Sequence, residues 1–158
     1  VLPHGVEAMD TDFPGLVQTS LNMGVVRLDD AGLHVTFSIR SSIASRKEML
    51  AQRVRAAAEL AGGTVTERGV YPGWQYRRDS QFRETLLAAY KDLTGKDGVV
   101  EATHGGLECG LFMEKLPGLD AVSLGPDIPD IHSVRERLGV SSVARTYALV
   151  CEVLRRSV

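Results

Sequence analysis

Two short stretches hold most of the residues able to do chemistry. The first, HGGLECG from His104 to Gly110, places an imidazole, three glycines, a carboxylate and a thiol within seven residues. Glycines in such a run let backbone approach a ligand closely, because no Cβ stands in the way. The same residues also suit a plain tight turn into a helix. Nothing in the sequence marks Cys109 as a low-pKa nucleophile, so it reads as a small apolar core residue. The second stretch, SLGPDIPDIHS from Ser123 to Ser133, follows a predicted strand and is stiffened by Pro126 and Pro129. It delivers His132 on a loop beyond the strand's carboxyl end, where sites are built in α/β folds. A neutral imidazole with Asp127 and Asp130 nearby to orient it suits a metal ligand. The competing reading is a surface or hydrogen-bonding histidine, and one His with two aspartates does not complete a tetrahedral site.

The elements that must position these groups follow from periodicity and punctuation. Residues 16–27 are rich in apolar and β-branched types, and DDAG at 29–32 supplies a turn into a second run, which together predict a hairpin. In the second strand Leu33, Val35, Phe37 and Ile39 alternate with His34, Thr36, Ser38 and Arg40, so one set faces the core and the other does not. Read from local sequence alone, Arg40 is then a solvated strand residue. SRKE at 45–48 predicts a capping box, worth about 1 kcal/mol for each half, opening a helix that runs to about Ala61 and ends at the glycine pair 62–63. A short strand is predicted at 64–70. YPGW at 71–74 marks a change of organisation, after which the pattern predicts helix 80–94, strand 99–103, a short helix near 106–113, strand 119–124, a loop, and helix 141–156. The fold class is therefore α/β: a ββαβ segment over 1–70 followed by an αβαβα segment over 71–158.

Composition narrows the function. The chain has 158 residues, a formal charge of −2 and 44% hydrophobic residues, enough for one ordinary domain or two small ones. A near-balanced charge with only dispersed basic residues gives no electrostatic footprint for nucleic acid. No apolar run approaches the roughly 20 residues that span a bilayer, and no charged-then-apolar leader opens the chain. Cys109 and Cys151 are far apart, which favours two reduced thiols over a disulfide framework. These features predict a cytoplasmic protein with no nucleic-acid or membrane partner. The start at Val1, directly in what reads as mid-domain sequence, predicts a fragment.

Taken together, HGGLECGLF (104–112), SLGPDIPDIHS (123–133), SIRSS (38–42) and GVYPGWQ (69–75) closely resemble the carboxyl-terminal third of the aminoacyl-histidine dipeptidases of the M20 zinc-peptidase family, which cleave Xaa-His dipeptides such as β-alanyl-histidine. The match covers essentially the whole chain in order. The HxGLECG form differs from the GG-S/T type found at the matching place in related carnosinases. IHSVRER at 131–137 departs from the family's usual HSPDE after the histidine, which leaves the imidazole in place and alters the loop that follows it.

The resemblance implies that 1–70 is the last part of a lid and dimerisation domain and that 71–158 is the return into the catalytic domain. It implies two zinc ions, with the bridging aspartate and the general-base glutamate upstream of residue 1, so that no catalytic residue lies in this chain. Only His132 matches a metal-ligand position. Arg40 matches the lid arginine that holds the dipeptide's carboxylate, and Gly106 matches a place where backbone nears the substrate. Glu108 would contact the ligand or anchor a neighbouring group, and His104 would orient its neighbours. The hairpin and its helix match the part through which family members form homodimers. The expectation is a piece of a dipeptidase that is inactive on its own. The alternative is a non-catalytic dimerisation module derived from the same fold.

Overall fold

A computed structural model describes residues 2–157. The described residues form three strands, β1 (Gly5–Met9), β2 (Val17–Asp29) and β3 (Gly32–Ser41), and four helices, α1 (Ala44–Leu60), α2 (Gln81–Thr94), α3 (Glu108–Lys115) and α4 (Val140–Arg156). They divide into two compact units. One runs up to Tyr76 and includes Glu101–Pro117; the other comprises Arg77–Val100 and the chain from Gly118 onward.

In the first unit the strands make one antiparallel sheet in the order β1-β2-β3. The β2–β3 hairpin closes at Asp29↔Gly32, and Ala31 N–H donates to Asp29 Oδ1 at 3.0 Å across the turn. Gly32 has φ 127°, a conformation open to glycine. The register slips by one residue between Met23 and Val25, leaving Gly24 as a bulge. Beyond it Phe37 and Ile39 face inward against Leu21, Leu50 and Val54, joining α1 to the sheet. Leu21 and Leu50 are fully buried, and each such side chain stabilises the unit by about 1.5–3 kcal/mol. Arg40 lies on the opposite, exposed face of β3, as the alternation predicts, but Leu33, expected on the buried face, is 65% exposed at the turn end of the strand, away from the cluster formed with α1.

Helix α1 begins earlier than its predicted cap. Ile43 is the N-cap, so Ser45 and Glu48 lie inside the helix and no capping box forms. Ser41 Oγ accepts from Ile43 N–H instead, and Glu48 accepts from Gln52 one turn on. The C-terminus follows expectation: Gly62, at φ 76°, donates to Glu59 O at 2.9 Å while Gly63 donates to Ala58 O at 2.8 Å, the paired bonds of a Schellman motif.

The second unit is held by α2 packed on α4, with Leu86, Ala89 and Val153 at the centre and Phe82, Val122 and Leu149 around them. Arg156 reaches both Asp92 on α2 and Glu152 on its own helix, each at 2.7 Å. Bonds from Arg155 and Arg156 hold the Glu152 carboxyl down to about 2.

Two parts of the predicted element order need correction. β1 is present where no strand was predicted; it is short and its burial does not alternate, so no period of two announces it. Conversely, 64–70, 99–103 and 119–124 form no strand among the described residues. A strand needs a neighbouring backbone to take its N–H and C=O groups, and β1–β3 are the only strands described. Their apolar residues serve otherwise: Val122 packs on α2 and α4, whereas Val99 is 83% exposed.

Candidate functional site

The first unit brings together Arg40, His104 and Gly106. Arg40 stands near the end of β3, and its positive charge reaches His104. Burial of the ring first, and the Arg40 guanidinium second, lower the His104 pKa, so the imidazole is held neutral. A neutral ring beside a cation accepts or donates hydrogen bonds without adding a second charge. Gly105 N–H donates to Thr103 Oγ1 at 3.1 Å, tightening the turn before α3. Glu108 is the first residue of α3 and is exposed, where its carboxylate is favoured by the helix dipole. Cys109 is half-buried, and burial raises its thiol pKa, helped by the Glu108 charge; it remains a protonated thiol.

In local sequence YPGW at 71–74 reads as a turn and a boundary, without showing that it seats this turn. Tyr71, Pro72 and Gly73 form a strap between the end of β3 and α3. A Cβ at Gly73 would lie 2.5 Å from Ser42 O and 2.8 Å from Ser41 O, and one at Gly110 would lie 3.2 Å from Gly73 O and 3.3 Å from Pro72 O. Backbone therefore stacks on backbone three deep, with no room for a Cβ at Gly73 and a tight fit for one at Gly110. The Tyr71 ring covers Gly106: a Cβ there would overlap Cε2 and Cδ2 and stand 2.9 Å from Cζ. Lys47 fixes the other side, its ammonium donating to the Tyr71 carbonyl and lying 5.0 Å from the ring centroid. The available signal was the glycine at 73 following YP, which reads as a turn until its neighbours are known. Tyr76 packs edge-on against Phe13, with ring centroids 4.8 Å apart.

His132 lies in the second unit, on a loop that holds itself in an unusual conformation. Asp130 and His132 both have positive φ, 57° and 62°, a region in which non-glycine residues are uncommon and which costs on the order of 1–3 kcal/mol. Local bonds sustain it. Glu136 Oε2 accepts from His132 N–H at 2.8 Å, Ser133 Oγ donates to Asp130 O at 2.7 Å, and Arg137 N–H donates to Pro129 O at 3.1 Å. The loop's ends are tied where Gly139 N–H donates to Asp127 O and Ser142 Oγ accepts from Asp127 N–H, both at 2.8 Å. Asp127 and Asp130, expected to orient the imidazole, are instead paired with Arg145 at 3.0 Å and Arg137 at 2.9 Å. Among the described residues no group of three or more His, Cys, Asp or Glu side chains is placed to hold a metal ion. His132 is exposed and belongs to no such group among the described residues.

No family model matches the chain. It is 36% identical over 153 residues to the cytosol non-specific dipeptidase of Escherichia coli (strain K12), a match covering 97% of this chain and 32% of that protein. Among solved structures it is similar to the aminoacylhistidine dipeptidase from Vibrio alginolyticus, at 34% identity and a TM-score of 0.85, covering 98% of this chain and 32% of the other. The fold is also shared with the aminopeptidase PepT from Bacillus cereus, at 21% identity and a TM-score of 0.69, over 96% and 41% of the two chains. The chain is a homologue of the cytosol non-specific and aminoacylhistidine dipeptidases, and it spans about a third of their length.

Proposed function

We propose that this chain is part of a cytoplasmic, zinc-dependent dipeptidase that hydrolyses Xaa-His dipeptides such as β-alanyl-histidine, with Arg40 binding the substrate carboxylate. The observation that carries this reading is Arg40 itself. It is exposed on the polar face of β3, next to a neutral His104, and no described carboxylate pairs with it. An exposed arginine offers a planar two-pronged donor to a free carboxylate. Homology to dipeptidases over nearly the whole chain supports the reaction class. In this reading Gly106 and Glu108 border the substrate, and His132 contributes one metal ligand to a site otherwise built by residues outside this chain. Residues 1–70 belong to the lid and 71–158 to the catalytic part. No helix among the described residues is long and apolar enough to cross a membrane.

A second reading, self-association through the hairpin, is favoured by its distal end. There Val25, Val26, Leu28 and Leu33 are 58%, 57%, 78% and 65% exposed. The two readings are compatible, since a dipeptidase can also be a homodimer.

The test of the first is Arg40→Ala and Arg40→Lys in the whole enzyme, assayed on a dipeptide and on its C-terminal amide. Hydrogen bonds to charged groups contribute about 1.5–3 kcal/mol, so Arg40→Ala should cost roughly 30-fold in kcat/KM on the free acid, and Arg40→Lys less. On the amide the penalty should largely vanish. Equal losses on both substrates would show that Arg40 does not read the carboxylate.

A further inference from the structure

We propose that Tyr71 is a positioning residue of the substrate site: its ring seats on Gly106, and this seat fixes the His104–Leu107 turn relative to Arg40. On this view position 106 must be glycine because Tyr71 occupies the space a side chain would need. A need for the substrate to approach the backbone there is not the reason. The functional half of the proposal rests on the dipeptidase reading above; the steric half does not.

Three observations support it. First, the overlap at Gly106 is with the body of an aromatic ring and not with the tip of a flexible chain, so a Cβ there requires the whole ring to move. Lys47 holds the Tyr71 carbonyl and sits against one face of the ring, and Tyr71 is otherwise 41% exposed. Second, the strap cannot slide, since Gly73 is wedged against the Ser41 and Ser42 carbonyls at one side and Gly110 stands against its own carbonyl at the other. Ser41 and Ser42 directly follow Arg40, so the strap touches the chain one residue from the guanidinium-bearing position. Third, on the far side the strap meets the turn whose His104 feels the Arg40 charge. Tyr71–Gly73 is thus the common contact of the two segments that carry Arg40 and His104. A rigid joint between two binding groups sets their separation, and misplacement of such groups is felt in binding and attack geometry far more than in fold.

The experiment is a double-mutant cycle in the whole enzyme. Gly106→Ala should raise KM for a free-acid dipeptide at least about tenfold with kcat changed by less than about threefold, because the displaced groups bind and do not react. Combining it with Tyr71→Ala removes the clash, so the double variant should match Tyr71→Ala alone within about threefold, a coupling expected of residues in contact. Tyr71→Phe keeps the ring and should give no such relief. Thermal unfolding provides an arm that needs no activity: Gly106→Ala should lower Tm, and Tyr71→Ala in that background should raise it again. Tyr71→Ala alone should also raise KM, since it removes the seat. A double variant worse in KM than Tyr71→Ala alone by more than about threefold, Tyr71→Ala with wild-type KM, or Gly106→Ala indistinguishable from wild type, overturns the proposal. If wild type turns over no dipeptide, the dipeptidase reading falls and the positioning role with it; the Tm cycle then decides the seat by itself.

Discussion

Asp120→Ala should destabilise the second unit by an amount the geometry allows to be worked out. Asp120 sits just before the loop that carries His132, and its carboxylate closes the N-terminus of α2. Oδ1 accepts from Ser80 Oγ at 2.6 Å and Oδ2 accepts from Phe82 N–H at 2.9 Å, while Ser80 Oγ accepts from Arg83 N–H at 3.0 Å. Burial alone would raise the Asp120 pKa. The bonds from Ser80 and Phe82, with the Arg77 and Arg83 charges, outweigh it and hold the carboxyl below the usual carboxylate range. Removing the side chain deletes two bonds to a charged group and leaves Ser80, 4% exposed, without its acceptor. Fully buried bonds of this kind contribute about 1.5–3 kcal/mol each; for a half-exposed carboxylate about 1 kcal/mol each is the fitting figure, with the weakened cap adding up to about 1. The expected loss is therefore about 2–3 kcal/mol, or a Tm lower by about 5–10 °C. Ser80→Ala should cost about 2 kcal/mol, and the double variant less than the sum, because the two residues share a bond. The pH dependence has a definite sign. A carboxyl whose folded pKa is depressed adds stability above its unfolded pKa, and that stability is lost as pH falls through the folded value. The gap between wild type and Asp120→Ala should thus be full at pH 7 and shrink in acid. Urea unfolding at several pH values measures it. A gap under about 0.5 kcal/mol at pH 7, or one that widens in acid, would refute the reasoning.

Three other outcomes follow. In the whole enzyme His132→Ala should lower zinc content and activity together, since a ligand at a catalytic metal cannot be spared; unchanged metal stoichiometry by elemental analysis would remove His132 from the site. The 158-residue chain alone should hydrolyse no β-alanyl-histidine, because its described residues assemble no metal-binding cluster, and zinc-dependent turnover by contaminant-free protein would overturn that. In solution the chain should form dimers or larger assemblies through the exposed hairpin end and the unpaired sheet edges; a monomeric mass by light scattering at high micromolar concentration would count against it.

What could be read from the residues was local. The hairpin turn, the alternation that exposes Arg40, the glycines closing α1 and α2, and the extents of α2 and α4 to within a residue or two all depend on side chains a few positions apart. The errors arose where the deciding partner is distant or missing. SRKE has the composition of a capping box, yet the helix starts from Ile43 with no side-chain cap before the box is reached, and Ser41 Oγ accepts from the Ile43 N–H, which precedes the first turn. The apolar runs at 99–103 and 119–124 look like strands, but no described strand lies beside them. At the site, the motif HGGLECG announced close backbone approach without saying to what. The partner at Gly106 is Tyr71, some thirty-five residues away, and no spacing rule connects them. For His132, sequence gave the imidazole and the prolines; the left-handed backbone depends on Glu136, in the segment that departs from the usual family pattern.

The interleaving of the two units bears on how this protein can be cut. The chain leaves the first unit after Tyr76, returns at Glu101, and leaves again after Pro117. No single break in the polypeptide can therefore release either unit whole. A truncation after Tyr76 deprives the sheet unit of the HGGLECG turn and α3, and one before Arg77 leaves α2 and α4 attached to a helix whose packing partners are gone. Exchange of one unit between homologues needs three coordinated junctions, so a one-crossover chimera should be less tolerated here than in proteins whose domains follow one another along the chain. Proteolysis at 77–100 should likewise give fragments that stay associated, because each piece holds part of the other's unit.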